Sequence, residues 1–159
     1  MWGSSYRSLQ GNLGLGQAIA FFTSRGIPVS IPLNDTQKYD LVAEIEGVLK
    51  KISIKTTMHK PRSHYSVLLK NCGGASGKNV SRPFDNTSCD YVFILCKDGT
   101  MFCIPSEEIQ VKTMLSLDSR FDKYKTEGGA QRWATGLEIP AIGNGEGSTP
   151  SPSAIGDIV

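Results

Sequence analysis

The stretch that most restricts the fold runs from Tyr39 to Lys55, Tyr-Asp-Leu-Val-Ala-Glu-Ile-Glu-Gly-Val-Leu-Lys-Lys-Ile-Ser-Ile-Lys, and it reads as a tight β-hairpin. Leu41, Ala43 and Ile45 alternate with Asp40, Val42, Glu44 and Glu46, and on the return strand Ile52 and Ile54 alternate with Ser53 and Lys55. Side chains change face at every strand residue, so the first set points to a core and the second to the opposite face. If the two-residue turn is Gly47-Val48, Asp40 lies directly across from Lys55. If it is Glu46-Gly47, Asp40 faces Ser53 and Lys55 is one step along. Either register brings a carboxylate and an ammonium within cross-strand reach on one face, whereas a three-residue turn without a bulge would separate them.

The rest of the chain frames this hairpin. Leu13, Leu15, Ala18, Ile19, Phe21 and Phe22 recur at near-helical spacing, which predicts a helix from about Asn12 to Arg25 stopped by Gly26, after a polar lead-in over residues 1–10. Short strands are expected over Ile27–Pro32 and Ser66–Lys70. Tyr91–Cys96 and Met101–Ile104 flank Lys97-Asp98-Gly99-Thr100, a hairpin signal. Asn71–Pro83 reads as a Gly/Ser/Asn-rich basic loop, and Pro105–Ile109 as a helical turn. From Glu127 onward the chain carries seven glycines and three prolines with little periodicity. The expected organisation is one α/β domain over residues 1–126 and a disordered tail over 127–159.

Composition excludes several classes. No apolar run is long enough to span a membrane, and no basic-then-apolar leader opens the chain, so a cytoplasmic protein with no membrane partner is expected. The four cysteines, Cys72, Cys89, Cys96 and Cys103, show no CxxC pair and no zinc-ligand spacing, and they read as buried thiols. The net charge of +2 conceals a polarised distribution. Between Gly47 and Phe84 there is no Asp or Glu, while Lys50, Lys51, Lys55, Lys60, Arg62, Lys70, Lys78 and Arg82 all fall there, with His59 and His64. A solvated basic face would look the same, but an acid-free run also suits a phosphate-facing surface.

Two glycine-rich stretches fail as nucleotide loops. Gly11-Asn-Leu-Gly-Leu-Gly16 follows no strand and has the wrong spacing. Gly73-Gly-Ala-Ser-Gly-Lys78 has Cys72 and Asn79 where a phosphate-binding loop needs Gly and Ser or Thr. An exposed cross-strand ion pair would account for Asp40 and Lys55 on their own. Three further features bear on the pair: Ser53-Ile54-Lys55 leads into Thr56 and Thr57, a helix bearing polar Gln17 lies upstream, and the acid-free run begins at the same hairpin.

Together these parts resemble the PD-(D/E)xK nuclease superfamily, and within it the small endonucleases associated with group I introns and with actinobacterial and phage-type reading frames. The stretches that carry the resemblance lie within residues 11–110. They are Gly14-Leu-Gly-Gln-Ala-Ile-Ala, Val29 through Val42, Leu49-Lys-Lys-Ile-Ser-Ile-Lys-Thr-Thr, and Cys89 through Pro105. The resemblance implies a restriction-endonuclease-like core: a mixed β-sheet with a flanking helix and an extra β-hairpin. It implies Asp40 as the metal-binding carboxylate, Lys55 as the group that orients water and stabilises charge, and the Ile54 carbonyl as a metal ligand. Gln17 stands where the family has an acid and Ser53 where it has Glu, Asp or Gln, and they offer neutral oxygens to the same magnesium, which manganese would replace; weaker affinity is expected. The activity implied is site-specific cleavage of double-stranded DNA by a homo-oligomer, a dimer or tetramer. A decayed DNA-binding module, or a nuclease selective for junctions or flaps, is implied by the same core. Lys60, Arg62, Lys70, Lys78 and Arg82 are expected on phosphates rather than bases.

Overall fold

The structure, a computed structural model, describes residues 3–34, 36–72 and 81–126. Helix α1 spans Gly3–Thr23. Strands follow as β1 Val29–Ser30, β2 Leu41–Ile45, β3 Val48–Thr57, β4 Ser66–Leu68, β5 Asn71–Cys72, β6 Ser81–Arg82, β7 Tyr91–Cys96, β8 Met101–Pro105, β9 Met114–Ser116 and β10 Lys125–Thr126. Short 3-10 turns cover Ser106–Glu108 and Ser119–Tyr124.

Six strands form one sheet in the order β1-β2-β3-β7-β8-β10. Its β3–β7 pair is parallel and its other pairs are antiparallel, so the sheet is mixed. The parallel pair needs a long crossover, and the segment between Thr57 and Tyr91 uses it to build part of the second layer, which Ile109, Leu115, Leu117, Phe121 and Tyr124 complete. Two small sheets, β4–β9 and β5–β6, stand apart from the main one. The expected α/β architecture is present, with its flanking helix and extra two-stranded elements.

The hairpin turn is Glu46-Gly47. Both residues have positive φ, 52° and 75°, the twist that lets a two-residue turn join strands without splaying them. Leu41 therefore pairs with Ile52 and Ile45 with Val48, which is the second of the two registers the sequence allowed. Continuing that ladder by one step sets Asp40 opposite Ser53.

Helix α1 begins at Gly3 rather than near Asn12, so the polar lead-in is helical. Its residues carry no apolar stripe, and periodicity could not see it. The stop is as expected: Gly26 has φ 70°, its N–H bonds the Thr23 carbonyl, and the Ile27 N–H bonds the Phe22 carbonyl. Those two bonds close the helix end, and Ile27 and Phe22 are buried in one cluster. Gly14 is where the helix meets the sheet. A Cβ there would lie 2.6 Å from Thr56 Cγ2 and 3.1 Å from Ile54 Cγ2, so only glycine allows this approach.

The sheet is buried on both faces. On the helix side, Ala18, Phe21 and Phe22 pack with Leu41, Ala43, Ile52, Phe93 and Leu95. On the other side, Val92, Ile94, Phe102 and Ile104 are covered by Val67, Leu69, Phe84, Leu115 and Phe121. The face of β3 expected to be polar is thus a second core over much of its length. Ser53 is 3% exposed and Thr57 is buried, with β4 packed against β3 at Thr57.

Candidate active site

β2 starts at Leu41, while β3 runs on to Thr57. Beyond Ile52 the edge of β3 that faced β2 opens, and Asp40 sits at this opening. Its N–H bonds the Ile52 carbonyl at 2.9 Å. Its carboxylate Oδ2 accepts the Ile54 N–H at 2.6 Å, filling the place where the next ladder bond would come. This charge-assisted bond fixes the carboxylate, and Asp40 remains exposed. A strand residue's carbonyl points to the same edge as its N–H, so the Ile54 main chain and the Asp40 carboxylate meet on one edge.

Ser53 and Lys55 belong to the β3 face turned toward β4. Their parallel partners Val92 and Ile94 lie in the cluster beneath that face, and Thr57 Oγ1 donates to the Ser66 carbonyl. Lys55 is half-buried between the enclosed Ser53 and Thr57 on this face. Gln17 is half-buried on α1, one turn beyond Gly14. The helix packs over Ile54 and Thr56, so Gln17 approaches from the side opposite Ser53 and Lys55.

At the edge itself the donors are the Asp40 carboxylate and the Ile54 main-chain carbonyl. Among the described residues no three His, Cys, Asp or Glu gather into a metal-holding group. These hard oxygen donors with a single charge fit magnesium, which keeps several waters and commonly uses one or two carboxylates with substrate phosphate.

The opposite edge of β3 carries an acid that the sequence reading passed over. Asp90 accepts the Lys51 N–H at 2.7 Å and returns its own N–H to the Lys51 carbonyl at 2.8 Å. It thereby fixes where β3 and β7 begin their parallel pairing. Beside it the buried Cys89 thiol lies 3.1 Å from Ser106 Oγ. Burial pushes that thiol up from its ordinary value, against the pull of hydrogen bonds from Ser106 and the Ser53 main chain. The signal available was an acid directly before the apolar run Tyr91–Cys96.

The basic residues are spread along the crossover. Lys60, Arg62 and Arg82 are exposed and Lys70 is half-buried; Lys78 lies outside the described residues, as does the tail over 127–159. Lys60 Nζ stands 4.9 Å from the centre of the Tyr65 ring, a cation–π distance. Burial, with the nearby Asp98 carboxylate, raises the Tyr65 hydroxyl. Burial also works to raise Asp98, but hydrogen bonds from Thr100 and Tyr65 and the charge of Lys60 outweigh it and leave Asp98 lowered. The β7–β8 turn is thus tied to the segment that carries Lys60. Among the described residues no helix is long and apolar enough to cross a membrane.

The comparisons with known proteins agree with this frame. The solved structure of a bacterial homing endonuclease, I-Ssp6803I, matches with a TM-score of 0.61 and 23% identity, covering 74% of this chain and 87% of that one. At that identity the match speaks for the fold. Curated proteins yield no match to the sequence. The sequence itself matches the PD-(D/E)XK endonuclease family over residues 7–134. That span holds most of α1, the β2–β3 hairpin and the whole mixed sheet, and the chain belongs to the PD-(D/E)XK endonuclease family.

Proposed function

We propose that the protein is a magnesium-dependent, site-specific endonuclease of homing type that cuts both strands of duplex DNA. The observation that carries this reading is the Asp40 carboxylate held on the Ile54 main chain, one strand position from Lys55, at the edge where β2 ends and β3 continues. The fold neighbour, a bacterial homing endonuclease, supports it.

Asp40 and the Ile54 carbonyl would hold the divalent cation, with Ser53 and Gln17 contributing neutral oxygens directly or through water. When bound, that cation supplies Lewis-acid polarisation of the scissile phosphate and acidifies a bound water; manganese serves in its place. Lys55 brings a positive charge to the developing negative charge on the phosphoryl oxygens and orients the attacking water by hydrogen bonding. The Ile54 N–H holds one carboxylate oxygen of Asp40, leaving the other for the cation. Lys60, Arg62, Lys70 and Lys78 supply the phosphate-facing charge. A single copy carries one such site, so cutting both strands together calls for a homo-oligomer, a dimer or tetramer.

One observation favours a second reading, a DNA-binding module without cleavage: Ser53 is enclosed where the family places Glu, Asp or Gln. Incubation of the purified full chain with supercoiled plasmid separates the two. Linear product that appears with magnesium and vanishes with chelator supports the nuclease. Plasmid retarded in a gel but left supercoiled supports the binding module. Preference for junction or flap substrates over linear duplex would replace the site-specific reading with a structure-selective one.

A further inference from the structure

The β5–β6 ribbon is not needed to complete the core or the edge around Asp40. It forms its own two-stranded antiparallel sheet, with Asn71 opposite Arg82 and Cys72 opposite Ser81, and it pairs with no other strand among the described residues. Its base is firmly rooted. Leu69 N–H bonds the Thr113 carbonyl at 2.8 Å, and Phe84 N–H bonds the Lys112 carbonyl at 2.7 Å. The side chains of Leu69 and Phe84 are buried in the cluster beneath the Ser53–Lys55 face of the sheet. The ribbon therefore leaves the molecule at a fixed place, on the face of the sheet that carries Lys55.

Arg82 is exposed on this ribbon and belongs to none of the ion pairs among the described residues, which join Lys38 to Asp85, Arg120 to Asp118 and Lys125 to Asp122. The segment leading to it from the hairpin carries no acid. A two-stranded ribbon is one of the two elements that the major groove admits, and arginine is the residue whose planar fork matches guanine O6 and N7. Loops that track a backbone need neither a rigid root nor a ladder. An arginine meant to reach one base edge needs both, since discrimination depends on fixed geometry.

We propose that Arg82, on the rooted base of the β5–β6 ribbon, reads a guanine edge in the major groove of the DNA target. This departs from the expectation that Arg82 contacts a phosphate, and it rests on the site-specific DNA reading above. Residues 73–80 lie outside the described residues and carry no part of it.

The test is selection of bound duplexes from a randomised pool by the full chain, in chelator, with wild type and Arg82→Ala compared. Thermal unfolding of both confirms that the exposed substitution leaves the fold intact. The expected result is a wild-type motif with guanine at one fixed position. Arg82→Ala should lose the preference at that position alone, by about 5- to 150-fold, the range for one bidentate base contact. The slope of log affinity against log salt should not change. An intact motif with a slope lowered by about 0.9 would make Arg82 a phosphate contact and overturn the proposal. An intact motif with an unchanged slope would overturn it too, by turning the ribbon away from DNA. If wild type itself enriches no motif, the site-specific reading fails and the ribbon proposal falls with it.

Discussion

Gly14→Ala isolates the contact that seats α1 against the strand bearing Lys55. In a helix interior alanine is favoured over glycine by about 1 kcal/mol. At Gly16, where an added Cβ meets nothing within 4 Å, that gain should appear undiminished. At Gly14 the new methyl would sit 2.6 Å from Thr56 Cγ2, whereas carbon atoms settle at about 3.5–4.0 Å. The helix must lift or Thr56 must turn. A β-branched side chain on a strand has little freedom at χ1, and overpacking of this kind costs about 1–3 kcal/mol. Propensity cancels between the two variants, so Gly14→Ala should be about 1–3 kcal/mol less stable than Gly16→Ala. Urea unfolding with matched m-values measures the difference directly. Equal stabilisation by both substitutions would refute the close approach of α1 to β3.

Three other perturbations have defined outcomes. Neutralising Lys60, Arg62 and Lys70 together should lower the slope of log affinity against log salt by about 0.9 for each true phosphate contact; an unchanged slope would turn this face away from DNA. Ser53→Glu should tighten magnesium binding by calorimetry, since a carboxylate replaces an enclosed hydroxyl opposite Asp40, and identical affinities would remove Ser53 from the metal. Burial holds the Cys96 and Cys103 thiols up at about 12, above the value of about 8.5 expected in the unfolded chain. Below the unfolded value both forms are protonated and the stability is fully present. As pH rises toward about 12 the unfolded chain loses protons that the folded one keeps, and stability should fall. A flat denaturation midpoint across that alkaline range in wild type, matched by Cys96→Ser and Cys103→Ser, would contradict it.

Much of the frame was legible because its signals are local. Alternation through Leu41, Ala43 and Ile45 and through Ile52 gave the hairpin, and Asp98-Gly99 gave the second turn. The register between Asp40 and Ser53 was not legible. It depends on Glu46, a non-glycine residue, taking a left-handed φ of 52°, a conformation such residues adopt only when the surrounding strands compensate. Nor could alternation tell that the second face of β3 would be covered. Its cover comes from residues far along the chain, such as Val67 and Leu115 in strands of only three residues, too short to show a period. The pairing of Asn71 with Arg82 escaped for a related reason: two-residue strands in a segment rich in Gly and Ser leave no pattern. Asp90 was visible as an acid before an apolar strand, but only the parallel alignment of β3 with β7 gave it a partner.

The active-site assignment is tested most directly by plasmid cleavage with wild type, Asp40→Ala and Lys55→Ala, purified side by side and compared by far-UV circular dichroism. Both residues lie outside the fully buried clusters, so the variants should fold. Each should cut at least about 10²–10³-fold more slowly in magnesium than wild type, the loss typical when a group that stabilises transition-state charge is removed. Wild-type rates in either folded variant would contradict the placement of the reaction at the Asp40–Lys55 edge.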